Sequence, residues 1–211
     1  MKTSTKGNDF PPKPIPDVDT YQSRNIIIAD LGTQDKEFKG VKKKQREIWF
    51  CFELIGTAAI FNPEKGEQPF VVSQEYSNSL AEKANLRKML QSWSGIKIEE
   101  MKSIDAEGNL DIIKAFGGKP CAINVIHVKS KDGIRTFANI NTITPPIKAL
   151  GPVAQSSNPL VVYDMDDAQT LHNFDKLPKF IQEKIKLSYE FRDIPVDDEF
   201  ESTPPVEESP F

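Results

Sequence analysis

Cysteine and histidine are scarce in this chain of 211 residues: Cys51, Cys121, His127 and His172 are the whole supply. None of them falls in a Cys/His spacing that would hold zinc. Both cysteines lie inside apolar, strand-like runs. That fits small buried hydrophobes in a reducing compartment and argues against a disulfide framework. Long apolar runs are missing too: no stretch reaches membrane-spanning length, and Met1–Thr20 has no apolar segment of the kind that targets secretion. Together these absences predict a cytoplasmic protein. Basic residues are absent from Asp193–Phe211 (DIPVDDEFESTPPVEESPF), which holds seven acids. Like charges interspersed with proline do not sustain a helix or a ladder, so a solvated acidic tail is expected there.

A catalytic set is also lacking. Phe116-Gly117-Gly118-Lys119-Pro120 misses the spacing of a phosphate loop, and proline stands where the magnesium-binding hydroxyl belongs. Asp164, Asp166 and Asp167 do not follow a calcium-loop pattern and read as a solvated acidic stretch. With no nucleophile beside a base, no metal set and no phosphate cradle, the residues predict a binding protein without cofactor rather than an enzyme.

The formal net charge of −4 conceals an asymmetry, because without the seven acids of residues 193–211 the rest carries +3. A mildly basic body with an acidic tail suits a protein that meets phosphates with one surface and a basic partner, or its own body, with the other.

Along the chain, Arg24–Leu31 reads as a first strand, followed by a polar loop over Gly32–Arg46 that delivers Lys42, Lys43, Lys44 and Arg46. A second strand is expected over Glu47–Ile55, with Ile48, Phe50, Phe52 and Leu54 on one face and Trp49, Cys51 and Glu53 on the other. A turn at Asn62–Gly66 leads to a third strand over Pro69–Ser77. Ser79–Trp93 then changes to helical period, with a Ser79/Glu82 capping box, a Leu86–Leu90–Trp93 stripe and a stop at Gly95. Short helical patches are expected near Ile98–Met101 and Leu110–Phe116. Two more strands, Pro120–Lys129 and Ile134–Thr144, flank the Asp132-Gly133 turn, and a carboxyl-terminal helix is expected over Pro178–Phe191.

Three strands, a helix and two strands is the order of the OB-fold, a five-stranded Greek-key barrel with a helix between strands 3 and 4. The predicted organisation is a disordered arm over 1–22, a mainly β OB-fold nucleic-acid-binding domain over 23–147, a linker and packed helix over 148–191, and the acidic tail over 192–211. Such folds clasp oligonucleotides between the loops joining strands 1 and 2 and strands 4 and 5. Here those loops carry Lys42, Lys43, Lys44 and Arg46, and Lys129 and Lys131. Arg135 and Phe137 on the fifth strand, Trp49 on the second, His127 on the fourth and Arg87 on the helix complete the expected surface, with Trp49 and Phe137 as base-stacking rings. Trp49 packed under a helix is the competing expectation.

The stretch from Tyr76 to Gly95 (YSNSLAEKANLRKMLQSWSG) resembles a signature of tailed-phage and prophage replication-associated proteins, OB-fold proteins regarded as single-stranded DNA binders. Leu31-Gly32-Thr33-Gln34, Gly118-Lys119-Pro120-Cys121, Phe137-Ala138-Asn139-Ile140, Leu177-Pro178 and Gln182–Ile185 follow the same family in order. The tail resembles the acidic tip of bacterial and phage single-stranded DNA-binding proteins. The resemblance implies a phage protein in the bacterial host cytoplasm that coats single-stranded DNA in replication or recombination. It also implies that Glu207, Glu208, Pro210 and Phe211 recruit replication or recombination proteins, although Ser209 interrupts the acidic run that such tips carry. The sequence is compatible with a homodimer, and equally with an OB-like adaptor that never grips DNA.

Overall fold

The computed structural model describes residues 13–38 and 40–192. Its centre is a long antiparallel hairpin, β1 (Thr20–Phe38) with β2 (Val41–Asn62). β3 (Gly66–Ser77) pairs with β2, β4 (Pro120–Lys129) with β1, and β5 (Thr136–Thr144) with β4, giving the order β3-β2-β1-β4-β5. A short β6 (Val161–Tyr163) adds parallel to Ile27–Ala29 of β1. Between β3 and β4 lie α1 (Asn85–Ser94) and the brief α2 (Ile112–Phe116). After β6 come α3 (Lys179–Lys186) and α4 (Tyr189–Arg192). The chain is thus mainly β, with a helix between the third and fourth strands. β3 and β5 form the free ends of the hydrogen-bonded path and approach within 8 Å at their Cα atoms without a ladder between them.

The β1–β2 hairpin runs well past the expected strands. Residues read as a polar loop instead continue the ladder, with Glu37 opposite Lys42 and Asp35 opposite Lys44. Opposite charges across an antiparallel pair support such an extension, but both faces are polar and leave no alternation of hydrophobicity to read. The disordered arm expected over 1–22 also ends earlier, since Thr20–Arg24 already pair with β4.

Residues 47–54 of β2 are buried without interruption, because cores form on both faces. One face carries Ile48, Phe50, Phe52 and Leu54, packed with Ile28, Leu86, Leu90, Trp93, Phe116 and Ile123. The other carries Trp49 and Cys51, packed with Ala29, Leu31, Tyr163, Ile181 and Ile185. Polar side chains of β1 and β2 in these layers are paired, as burial demands, whereas Gln91 Oε1 on α1 is buried without a hydrogen-bond partner among the described residues. Asn25 sits at a register shift in β1, and its amide donates to the Ile27 and Cys51 carbonyls, both at 3.0 Å. Buried Glu53 accepts from the Ser157 and Asn158 amides at 2.7 and 2.9 Å and from Asn158 Nδ2 at 2.7 Å, which pins the linker ahead of β6 to the sheet. The buried Glu47 carboxylate is met by Lys36 and Lys184, each at 2.9 Å.

Two helix expectations change. The Ser79/Glu82 capping box does not form: α1 starts at Asn85 after Ala84, while Ser79 Oγ accepts from the Ala81 amide in a separate turn. Its end is as expected, with Gly95 left-handed and its N–H donating to Gln91. The carboxyl-terminal helix is broken at Leu187-Ser188 rather than continuous. Ser188 is fully buried against Gly32, and the break lets the Glu190 carboxylate accept from both the amide and the hydroxyl of Thr33. Gly32 has φ +66°, and an added Cβ would stand 2.6 Å from Ser188 Cβ. Gly32→Ala should therefore lower unfolding stability by about 1–3 kcal/mol in denaturant titrations.

Burial pushes the Glu190 carboxyl up, but the two Thr33 bonds, with its own backbone amide and the nearby Arg46 charge, together hold it below its ordinary 4.5. A lowered carboxyl stabilises fully above its unfolded value, and that contribution is lost as pH falls through the folded one. Between about pH 4.5 and pH 3 the native chain should lose more stability than Glu190→Gln, read from denaturation midpoints across that window.

Candidate nucleic-acid interface

The four cations expected in the first loop divide by partner. Lys42 and Lys43 are exposed near the hairpin tip and form no ion pair among the described residues. Lys44 lies over the Tyr189 ring, 3.7 Å from its centroid, and that tyrosine's hydroxyl donates to Asp35 at 2.7 Å. Arg46 is committed: both Asp30 oxygens accept from its Nε at 3.2 Å, and Asp166 accepts from Nη2 at 2.7 Å. Hydrogen bonds that Arg46 donates to Asp30 raise its pKa against burial. Arg46 is a structural clamp joining β1, β2 and the acidic stretch after β6, which corrects its assignment to a phosphate-binding loop. Arg87 is likewise engaged, by Glu99 and by the Leu80 carbonyl at 3.2 Å.

Trp49 requires a larger correction. It is 3% exposed, beneath α3, with the Phe180 ring 5.9 Å away edge-on. Ile181 and Ile185 share that contact layer, so the ring fills core instead of offering a stacking face. The alternation that turned Trp49 away from the first core was correct. What the strand pattern did not show is that a second helix covers the opposite face. The outer face of β2, where an OB-fold commonly receives oligonucleotides, is therefore closed here by α3, β6 and the linker.

The β4–β5 hairpin keeps its expected surface. Lys129, Lys131 and Arg135 are exposed and unpaired by any acid among the described residues, and Phe137 is 47% exposed opposite Val128. Ile134 projects from the same turn. The turn is stiffened internally: the Ser130 amide donates to the Arg135 carbonyl at 2.8 Å, the Arg135 amide donates back to Ser130 Oγ at 2.9 Å, and Asp132 accepts from the Ile134 amide at 3.0 Å and from the Ser130 hydroxyl. Its one carboxylate is thus spent on shape. That Ser130 bond, first among the causes, holds the Asp132 carboxyl below its ordinary range. His127 is exposed on β4 with Nε2 2.8 Å from the Pro16 carbonyl, facing the amino-terminal arm instead of open solvent.

Sequence reasoning missed the neighbourhood of Phe137. A groove of about 660 Å³ runs between β3 and β5, with Phe61, Phe70, Phe137, Gln68, Asn139 and Asn158 among its walls. Phe61 and Phe70 meet edge-on at 5.3 Å. Phe61 lies beyond the expected end of the second strand, so only its recurrence across the Asn62–Gly66 turn could have signalled it. Glu207, Glu208, Pro210 and Phe211 lie outside the described residues.

Compared with protein-family models and with curated proteins, the chain matches none. Among the described residues no helix is long and apolar enough to cross a membrane, and no group of three or more His, Cys, Asp or Glu side chains is placed to hold a metal ion.

If Trp49 is core, Trp49→Phe should lower the denaturation midpoint while leaving single-strand affinity unchanged in an anisotropy titration. A base-stacking tryptophan would give the reverse pattern.

Proposed function

We infer that this chain binds single-stranded DNA through the β4–β5 end of an OB-type sheet and does not act as an enzyme. The observation that carries this reading is the β4–β5 hairpin, where Lys129, Lys131 and Arg135 stand free of acids beside the exposed ring of Phe137. Cations that track phosphates next to a ring that stacks on bases are the two elements of sequence-tolerant single-strand binding. The strand order β3-β2-β1-β4-β5 supports the fold assignment, since joining β3 to β5 would complete a five-stranded barrel of this class. Lys42 and Lys43 extend the basic field from the other hairpin.

In this reading the strand is held by counterion release at the lysines and by stacking at the hairpin root, with weak sequence preference. The resemblance of residues 76–95 supports a place in phage or prophage replication or recombination. The acidic residues of 193–211, ending on Phe211, would recruit basic partner proteins and compete with DNA for the lysines. An adaptor reading, in which the chain serves other replication proteins without gripping DNA, is favoured by one observation: Trp49 and the outer face of β2 are closed.

Fluorescence anisotropy with oligo-dT and its duplex separates the two. Preference for the single strand is expected, weakened by salt and strengthened by removing 193–211. Changing Lys129, Lys131 and Arg135 to Ala together should lower affinity at least tenfold and reduce the slope of log K against log salt by about 2. No binding by the intact or the shortened chain would leave the adaptor in front.

A further inference from the structure

The groove between β3 and β5 differs in chemistry from the lysine-bearing hairpins. Its walls hold three aromatic rings, Phe61, Phe70 and Phe137, and three amide side chains, Gln68, Asn139 and Asn158. Lys13, at its margin, is the one charged residue that lines it. Such a groove offers little to a phosphate. It offers a flat apolar solute two things: ring faces, and amides that both donate and accept. Those amides are largely unspent. Gln68 and Asn139 make no side-chain hydrogen bond among the described residues, and Asn158 commits only Nδ2, to Glu53, leaving its Oδ1 open.

We propose that this groove is a nucleobase site, in which a base turned out of the bound strand lies against Phe137 and Phe70 while Asn139, Gln68 and Asn158 meet its edge. The proposal rests on the single-strand reading and deepens it by separating the two halves of the ligand. Phosphates are met at the hairpin tip by Lys129, Lys131 and Arg135, and a base is met at the hairpin root by Phe137.

The amino-terminal arm forms one wall of this groove. Lys13, Pro14, Ile15 and Pro16 lie along the groove, with Pro16 buried and Ile15 half-buried. This arm is lightly held. Pro14 and Pro16 have no N–H to give, and the amides of Lys13 and Ile15 find no protein acceptor among the described residues. One hydrogen bond, from His127 Nε2 to the Pro16 carbonyl at 2.8 Å, fixes this stretch before the firmer anchors at Asp17 and Asp19. A wall held this lightly can shift to admit a base beside the rings.

The test compares two strands with the same phosphates, oligo-dT and an equally long oligomer of abasic spacers, by anisotropy at fixed salt. The intact chain should bind oligo-dT about tenfold more tightly than the abasic strand. Phe137→Ala and Asn139→Ala should remove most of that ratio and leave abasic binding unchanged, whereas Lys129→Ala with Lys131→Ala should weaken both strands alike. Ile15→Gly, which thins that wall and keeps the anchors, should strengthen oligo-dT binding alone. Equal affinity for the two strands would overturn the base site while sustaining the phosphate surface. A weaker oligo-dT complex for Ile15→Gly would overturn the yielding wall. Absence of binding to either strand would overturn the base site together with the single-strand reading. Circular dichroism melts of each variant confirm that a lost ratio is not lost folding.

Discussion

Burial of β2 on both of its faces is the constraint on which the rest of the molecule depends. From Glu47 to Leu54 the strand is covered on one side by α1, α2 and the inward residues of β4 and β5, and on the other by α3 and β6. A strand so placed has no free surface for a ligand, and any polar group on it must be paired where it stands. Glu47 and Glu53 obey this: the first is neutralised by Lys36 and Lys184, and the second is used to tie down the linker. Arg46 and Asp30 close the same layer at its edge. Functional chemistry is pushed outward, to the ends of the hairpins and to the gap between the two edge strands.

How much of this was legible in the sequence follows from the physical signal each element carries. β4 and its turn with β5 were visible, because apolar alternation met an Asp-Gly pair and nothing distant interfered. The end of α1 at Gly95 was visible for the same local reason. The extension of β1 and β2 through Glu37 and Lys42 was not, since its support is cross-strand charge and backbone ladder, neither of which alters hydrophobic period. The missing cap at Ser79 shows the converse. A local motif was present, but Arg87 reached back to the Leu80 carbonyl and a turn took the place of the first helical residues.

The candidate site divides along the same line. The exposure of Lys129, Lys131, Arg135 and Phe137 was legible because solvent exposure at a hairpin tip is a local property. Trp49 was misassigned because Phe180 and Ile181, more than a hundred positions away, cover its ring, and Arg46 because Asp30 on the neighbouring strand and the distant Asp166 hold its guanidinium. The groove went unread for a related reason. Phe61, Phe70 and Asn139 belong to three strands, and only the topology brings them together.

β3 and β5 each pair on one side only, so each presents a row of backbone donors and acceptors toward the gap between them. Exposed rows of this kind invite strands from other molecules. The Lys13–Pro16 segment lies beside that gap with proline at alternate positions, a pattern that cannot itself be extended into a growing sheet. Crowded copies of the chain would bring such edges together, and a proline-punctuated segment beside the gap opposes the conversion of crowding into fibre growth.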